Sequence, residues 1–304
     1  MDLVSGRLLA YAQLLRLPNV FTAFADILMA ACAVGSFTDD PGRVALLLLA
    51  SGCLYLGGMV WNDVFDRKDD AKTRPNRPIP SGRVTVQTAV IIGIIFIILG
   101  LVLAFFARQS TKGGYSDSLL VALVLSLAIF LYDAWLKRTP IGPIGMGLCR
   151  FLNVVLGLSA GQVAPSFELS MHIAGVVGLY IVGVTWFART EEGTSRPLHL
   201  LAASGVMLVS LLLALIVPIH FPDGSVTPFF PYLLVAFGFW IGFPIAKAIR
   251  KPTPQNVQAG VKRCILGLVL LDAILATVFV GLYGLLIGLL LLPARWLGKW
   301  VYST

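Results

Sequence analysis

Charge is scarce in this sequence, and so are the side chains that build most soluble catalytic centres. Only 12% of the 304 residues are Asp, Glu, Lys or Arg, against 58% hydrophobic, and the mean hydropathy is +0.88. Soluble domains carry about 25% charged residues, so a polytopic membrane protein is expected instead. The three histidines, His172, His199 and His220, show neither Glu-x-x-His nor His-x-x-x-His spacing and are assigned no metal role. The four cysteines, Cys32, Cys53, Cys149 and Cys264, are scattered through apolar segments, with no paired metal spacing and no disulfide framework, and read as packing residues. A Gly-x-Ser-x-Gly elbow and a Walker-type phosphate loop are both missing. The net charge of +8 would suggest nucleic acid in a soluble protein; in a membrane chain it reflects basic cytoplasmic loops, and nucleic acid is set aside.

What the chain has is long apolar runs. A helix needs about 20 residues to cross a bilayer, and runs of that order lie at 20–37, 43–61, 84–107, 118–135, 141–163, 171–188, 198–220, 229–248 and 264–292. The fold class expected is therefore all-α, a bundle of about nine transmembrane helices forming a single domain over 1–304. The last run exceeds one crossing, so it is expected to tilt, to kink near Gly281 or Gly284, or to leave an interfacial tail at Trp296 and Trp300. Arg7 and Arg16 before the first run look like the start of a signal peptide, but Asp26 interrupts that run and many spans follow, so it reads as a retained first helix. With the N-terminus inside, 17 Lys and Arg fall on the inner side and 5 on the outer, namely Arg43, Arg108, Lys112, Arg295 and Lys299. The positive-inside rule then makes the N-terminus cytoplasmic. The expected location is integral and multi-pass, in the plasma membrane of a prokaryote.

Against this background residues 62–82 stand out. The stretch opens Asn62-Asp63-Val64-Phe65-Asp66-Arg67-Lys68-Asp69-Asp70 and closes Arg74-Pro75-Asn76-Arg77-Pro78-Ile79-Pro80-Ser81-Gly82. If the second helix runs into it, Asn62, Asp66 and Asp70 recur at i, i+4, i+8 and share a face, with Asp63 beside it. Four carboxylates so close repel one another unless cations neutralise them. A hard oxygen cluster of this kind suits Mg²⁺ bridged to phosphate, with Lys72, Arg74 and Arg77 gripping the remaining phosphate oxygens. The bland alternative is a solvated loop that anchors the helix end. The topology places the stretch on the cytoplasmic side.

Three other helix ends or interiors carry polar groups. The fourth run ends Tyr132-Asp133-Ala134-Trp135-Leu136-Lys137-Arg138, either an aromatic belt with snorkelling bases or part of a site. Arg150 and Asn153 lie three apart on the fifth helix, where a buried arginine demands an acidic partner or an anionic ligand. Asp26 and Asp272 are the candidate partners. The sixth run ends with Arg189, Glu191 and Glu192 before Gly193 and Pro197, a second charged cluster that is equally readable as an ordinary helix stop.

With these residues in place the chain resembles the UbiA superfamily of intramembrane prenyltransferases. Their first signature, Asn-Asp-x-x-Asp-x-x-x-Asp followed by Arg-Pro-x-Arg-Pro and Ser-Gly, is matched over residues 62–82. Arg16-Leu17-Pro18-Asn19 and Tyr132…Lys137-Arg138 are weaker similarities in the right order. The resemblance implies Mg²⁺-dependent transfer of a prenyl chain from a prenyl diphosphate to an aromatic or other lipophilic acceptor within the membrane. It implies Asp66 and Asp70 as Mg²⁺ contacts with Asn62 and Asp63 in support, and Arg74, Arg77 and Lys137 on the diphosphate. Tyr132, Arg150, Asn153, Arg189, Glu191 and Glu192 complete the expected substrate site. One departure is plain: family members carry Asp-x-x-x-Asp after the sixth helix, and here Arg189, Glu191 and Glu192 stand there. Either the glutamates hold a second Mg²⁺ or Arg189 supplies the counter-charge in its place.

Two other readings compete. A CDP-alcohol phosphotransferase would carry Asp-Gly and Ala-Arg after its first aspartates, whereas Asp66 is followed by Arg67-Lys68. A prenyl-lipid-binding protein or transporter derived from this fold would suit Asp26, Arg150 and Asp272 inside the membrane, although no inverted repeat is visible. Acceptor, prenyl length and oligomeric state are not written in the residues.

Overall fold

The computed structural model describes residues 2–108, 117–161, 166–189, 195–221, 224 and 226–301. Among them there is no strand, and the apolar runs fall on helices: α1 Asp2–Leu14, α2 Val20–Ala33, α3 Pro41–Thr73, α4 Val86–Phe106, α5 Ser118–Ala134, α6 Gly142–Leu158, α7 Phe167–Ala188, α8 Pro197–Ile216, α9 Phe230–Arg250, α10 Pro254–Val280 and α11 Leu291–Val301. Six helical stretches are long and apolar enough to cross a membrane, the bent α1–α2 pair makes a seventh if counted as one, and α5 and α6 are shorter apolar helices of 17 residues.

Short polar residues set where the helices begin. The side chains of Asp40, Thr85, Asp117, Ser166 and Thr253 each accept a hydrogen bond from a backbone N–H in the first turn, meeting donors that the helix itself leaves unpaired. After Asp40, with Pro41 at the first position, α3 runs for 33 residues. At 1.5 Å per residue it is about 50 Å long, well beyond a hydrocarbon core of about 30 Å. It is longer than one crossing needs, and residues 62–73 stay helical as the i, i+4, i+8 spacing supposes.

Consecutive helices from α3 to α10 pack against one another, and small residues fix the closest approaches. A Cβ on Gly147 of α6 would come 2.7 Å from the Gly178 carbonyl oxygen of α7, and one on Gly178 would meet the Gly147 carbonyl oxygen at 3.0 Å. Backbone touches backbone at that crossing. The large core lies between α2, α7, α8, α9 and α10, around Ile173, Tyr180, Phe187 and Phe230, all essentially inaccessible. Outward surfaces carry Ile91, Ile95, Leu127 and Phe243, with 56% to 81% exposure, as lipid contact demands.

The C-terminal run differs from the single long crossing expected. The helix breaks at Gly281, whose φ of +61° is a conformation L side chains rarely adopt. A 3₁₀ segment, Gly281–Leu290, then turns back along α10: Gly284 sits against Ala276, where a Cβ would lie 2.6 Å from the carbonyl carbon, and Gly288 faces Leu270. The following α11 packs on the turn Leu17–Asn19, and Gln13 Nε2 donates to the Val301 carbonyl at 3.2 Å. Arg295 and Lys299 thus return towards the end of the bundle that holds Arg16, not the opposite end where the census of single crossings put them. The kink falls at Gly281, and the tail beyond it is the helix α11, with Trp296 and Trp300 exposed.

At the other end His172 and His220, far apart in sequence, are 3.0 Å apart through Nδ1 and Nε2. His172 Nε2 lies 2.9 Å from the Leu213 carbonyl, which can only accept, so Nε2 carries the proton and Nδ1 accepts from His220. The pair ties α7 to the end of α8.

Candidate diphosphate-binding site

The site forms where α3, α5 and α7 end and α2 begins. Asn62, Asp63, Asp66 and Asp70 climb one side of α3. Asp63, Asp70 and, across from them, Asp133 at the end of α5 are buried, between 2% and 5% exposed. The Arg-Pro-x-Arg-Pro segment folds back over this ladder. Arg74 N–H bonds to the Asp70 carbonyl, Arg77 N–H to that of Arg74, and Ser81 N–H and Oγ both donate to the Arg77 carbonyl. Gly82, at φ +74°, closes the turn. The result is that Arg77 Nη1 lies 2.7 Å from Asp70 Oδ2 and 3.5 Å from Asp63 Oδ1.

Two more cations arrive from the 3₁₀ turn Leu136–Arg138 after α5. Lys137 Nζ lies 2.8 Å from Asp66 Oδ2 and 3.8 Å from Asp133 Oδ1, and Arg138 Nη2 is 3.3 Å from Asp66 Oδ1. Asn62 Nδ2 donates to Asp133 Oδ1 at 2.8 Å, joining α3 to α5. From α7, Arg189 donates to the backbone carbonyls of Lys137, Thr139 and Pro140. Arg189 therefore holds the turn that presents Lys137. Glu191 and Glu192 lie outside the described residues.

A residue that the motif reading named only as a weak similarity completes the ring. Arg16 Nη2 is 3.0 Å from Asp63 Oδ1 and 3.3 Å from Asn62 Oδ1. Its φ of +45° is the one left-handed non-glycine backbone among the described residues, strain of a kind found at functional sites. The Arg-Leu-Pro-Asn run was the available signal, since Pro18 starts the turn that fixes Arg16. Arg138, at the end of the Tyr132…Lys137-Arg138 similarity, joins the ring through Asp66.

Below the ring a narrow cavity of about 60 Å³ descends between α2, α3, α5 and α6. Its walls include Leu54, Gly58, Met59, Leu125 and Ile129, with Tyr132 and Asp133 at the upper end. The floor is polar. Arg150 pairs with Asp26 (Nη1 to Oδ2, 3.1 Å), donates to Thr22 Oγ1 at 2.7 Å and lies 5.4 Å from the Tyr55 ring centroid. Asn153 donates to the same Asp26 oxygen at 2.8 Å and accepts from Ser51 Oγ at 2.7 Å. Asp26 is the partner that Arg150 demanded. Asp272 stands beside Asp26 as its side-chain hydrogen-bond partner, with both oxygens buried. The structure thus gathers Asn62, Asp63, Asp66, Asp70, Arg77 and Lys137 at one mouth, sets Arg74 in the turn above them, and places Arg150 and Asn153 at a separate, deeper level.

Among the described residues no three His, Cys, Asp or Glu side chains are grouped to hold a metal by themselves. Asp66 and Asp70 nonetheless offer hard oxygens one helical turn apart, already balanced by cations. That donor set fits Mg²⁺ that shares phosphate oxygens, and not a bare ion.

A helical bundle with an aspartate ladder, a ring of arginine and lysine and an apolar cavity beneath is a candidate site for a lipid diphosphate. The chain belongs to the UbiA prenyltransferase family, which it matches over residues 20–266. Among relatives, it is 33% identical over 221 residues to the digeranylgeranylglyceryl phosphate synthase of Methanothrix thermoacetophila, covering 68% of this chain and 79% of that one. It is 27% identical over 155 residues to the protein of the same name from Sulfurisphaera tokodaii, covering 43% and 56%; in that match the chain spans just over half the relative's length. Among solved structures it resembles a UbiA homolog from Archaeoglobus fulgidus bound to GPP and Mg²⁺, at a TM-score of 0.61 and 17% identity, covering 88% of this chain and 99% of the other.

Proposed function

We propose that the chain transfers a prenyl group from a prenyl diphosphate to a lipophilic acceptor, with Mg²⁺, at a mouth facing the cytoplasm. The observation that carries the reading is the pairing of Asp63, Asp66 and Asp70 with Arg16, Arg77, Lys137 and Arg138 directly above an apolar cavity. A diphosphate presents oxygens to such a ring, and the apolar chain attached to it enters the cavity and the hydrocarbon around it. The A. fulgidus homolog, bound to GPP and Mg²⁺, supports the same ligand pair. The relatives' name supports an acceptor that is itself a lipid or a lipid precursor.

In this reading Asp66 and Asp70, with Asp63 behind them, hold Mg²⁺, which when bound neutralises charge on the departing diphosphate. Arg74, Arg77 and Lys137 take the remaining oxygens. Their positive charge is in place before the carbon–oxygen bond breaks, so it stabilises the transition state without reorganisation. Asn62 orients Asp133, and the Tyr132 ring at the upper end of the cavity offers a π-face to the allylic cation. Arg189 acts through the Lys137–Pro140 carbonyls, and Glu191 and Glu192, next in sequence, are proposed as further acids for the same ligand. Arg150 and Asn153 shape the floor that the prenyl chain or the acceptor meets. About nine crossings with the N-terminus inside, followed by the return leg after Gly281, agree with the Lys and Arg asymmetry, which grows when Arg295 and Lys299 join that side.

The test is release of diphosphate from geranyl, farnesyl and geranylgeranyl diphosphates with Mg²⁺ and a panel of aromatic and glycerol-based acceptors. Asp66→Asn, purified at wild-type yield, is expected to lose at least about 100-fold in turnover. Unchanged turnover would overturn the reading. Tight binding by the wild type with no product across the panel would favour a non-catalytic prenyl-lipid-binding protein.

A further inference from the structure

We infer that the groove between α8 and α9, remote from the mouth, is a binding site for an anionic membrane lipid. The groove holds about 560 Å³ and is lined by Leu208, Leu212 and Leu215 of α8 and by Val235, Gly242 and Phe243 of α9. It faces outward, with Phe243 81% and Phe239 77% exposed along its ridge, and nothing lies within 4 Å of where a Cβ on Gly242 would stand. Along α9 it reaches from Leu234 to Ala246. That is about 18 Å of helix, against about 15 Å for one leaflet of hydrocarbon. One acyl chain fits its length.

The end of the groove at Ala246 is cationic. Lys247 and Arg250 occupy the last turn of α9, Lys251 follows, and Arg196 precedes α8 at the same end; all four are exposed. Arg250 continues the face of Gly242 and Ala246 in steps of four. The sequence has no Asp or Glu between Asp223 and Asp272, and among the described residues Lys247, Arg250 and Lys251 make no ion pair. A helix C-terminus favours a basic residue or two, but it does not explain an open apolar slot one leaflet deep beneath them. A second copy of the chain is a poor occupant, because a two-fold interface through this groove would set the same uncompensated cations against each other. A neutral lipid would fill the slot and leave the cations unanswered. An anionic glycerolipid satisfies both.

The experiment is native mass spectrometry of the full chain in detergent with equimolar phosphatidylglycerol and phosphatidylcholine. The wild type is expected to retain phosphatidylglycerol selectively. The double variant Lys247→Gln/Arg250→Gln is expected to lose that selectivity by about fivefold per charge removed. Gly242→Trp, built into open space, is expected to lower retention of both lipids; should it fail to fold, the double variant decides. Equal retention of the two lipids by the wild type, or selectivity unchanged in the double variant, would overturn the inference. So would a dimer that Gly242→Trp abolishes while lipid retention stays the same.

Discussion

Lys137 Nζ lies 2.8 Å from Asp66 Oδ2, so one of the two carboxylates proposed for Mg²⁺ is held by a lysine from the turn after α5. Cation and metal compete for the same oxygen until a diphosphate gives the lysine a new partner. Lys137→Met is therefore expected to bind Mg²⁺ about tenfold more tightly in the absence of prenyl diphosphate, by calorimetric titration. The same variant is expected to lose about 100-fold in diphosphate release. Tighter binding with lower turnover is the signature; a fall in both would mean that the lysine only supports the fold.

Arg16 is expected to matter as much as the aspartates it faces. Asp63 is buried, and Arg16 is the nearer of its two cations. Arg16→Ala leaves that carboxylate with Arg77 alone, which is expected to destabilise the protein by about 1–3 kcal/mol. Adding Asp63→Asn should recover most of the loss in thermal unfolding. If the two losses simply add, the pair is not coupled.

At the cavity floor, Arg150→Met is expected to be more damaging, costing about 3–5 kcal/mol, because it strands Asp26 with a buried charge. The double change Arg150→Met/Asp26→Asn should restore folded yield. Its activity then separates structure from recognition: recovery of both would make the Arg150–Asp26 pair structural, whereas recovery of yield alone would give it a part in binding substrate.

Arg189→Lys keeps the charge but cannot span the Lys137, Thr139 and Pro140 carbonyls that the guanidinium reaches. The expected result is a KM for prenyl diphosphate raised severalfold, with the same change in a Lys137→Met background adding little. An independent contact of Arg189 with phosphate would instead make the two effects multiply.

The return of the chain after Gly281 can be tested by labelling. Single cysteines at Arg83 and Lys299, in a background without the four native cysteines, are expected to react with a membrane-impermeant maleimide from the same side. Opposite-side labelling would restore the single long crossing.

Much of this protein is legible in one dimension. Spans about 20 residues long are set by the thickness of hydrocarbon, and that is a local property of composition. The ladder Asn62, Asp63, Asp66 and Asp70 is local too, since a helix continued past the bilayer puts residues four apart on one face. The diphosphate chemistry proposed for it rests on that spacing and on the family likeness carried by residues 62–82.

Tertiary structure decided what those residues touch. Arg16, Arg77 and Lys137 come from separate parts of the chain, and only packing brings them within 3.5 Å of the ladder. Whether Arg150 had Asp26 or Asp272 as its partner depended on the register between α2, α6 and α10, which no periodicity records. Arg189, expected at the diphosphate, is engaged here with the backbone carbonyls of Lys137, Thr139 and Pro140. The fold-back at Gly281 was hidden for the same reason: apolar residues read alike whether they cross once or turn, and the contact of Gly284 with Ala276 exists only when two segments meet.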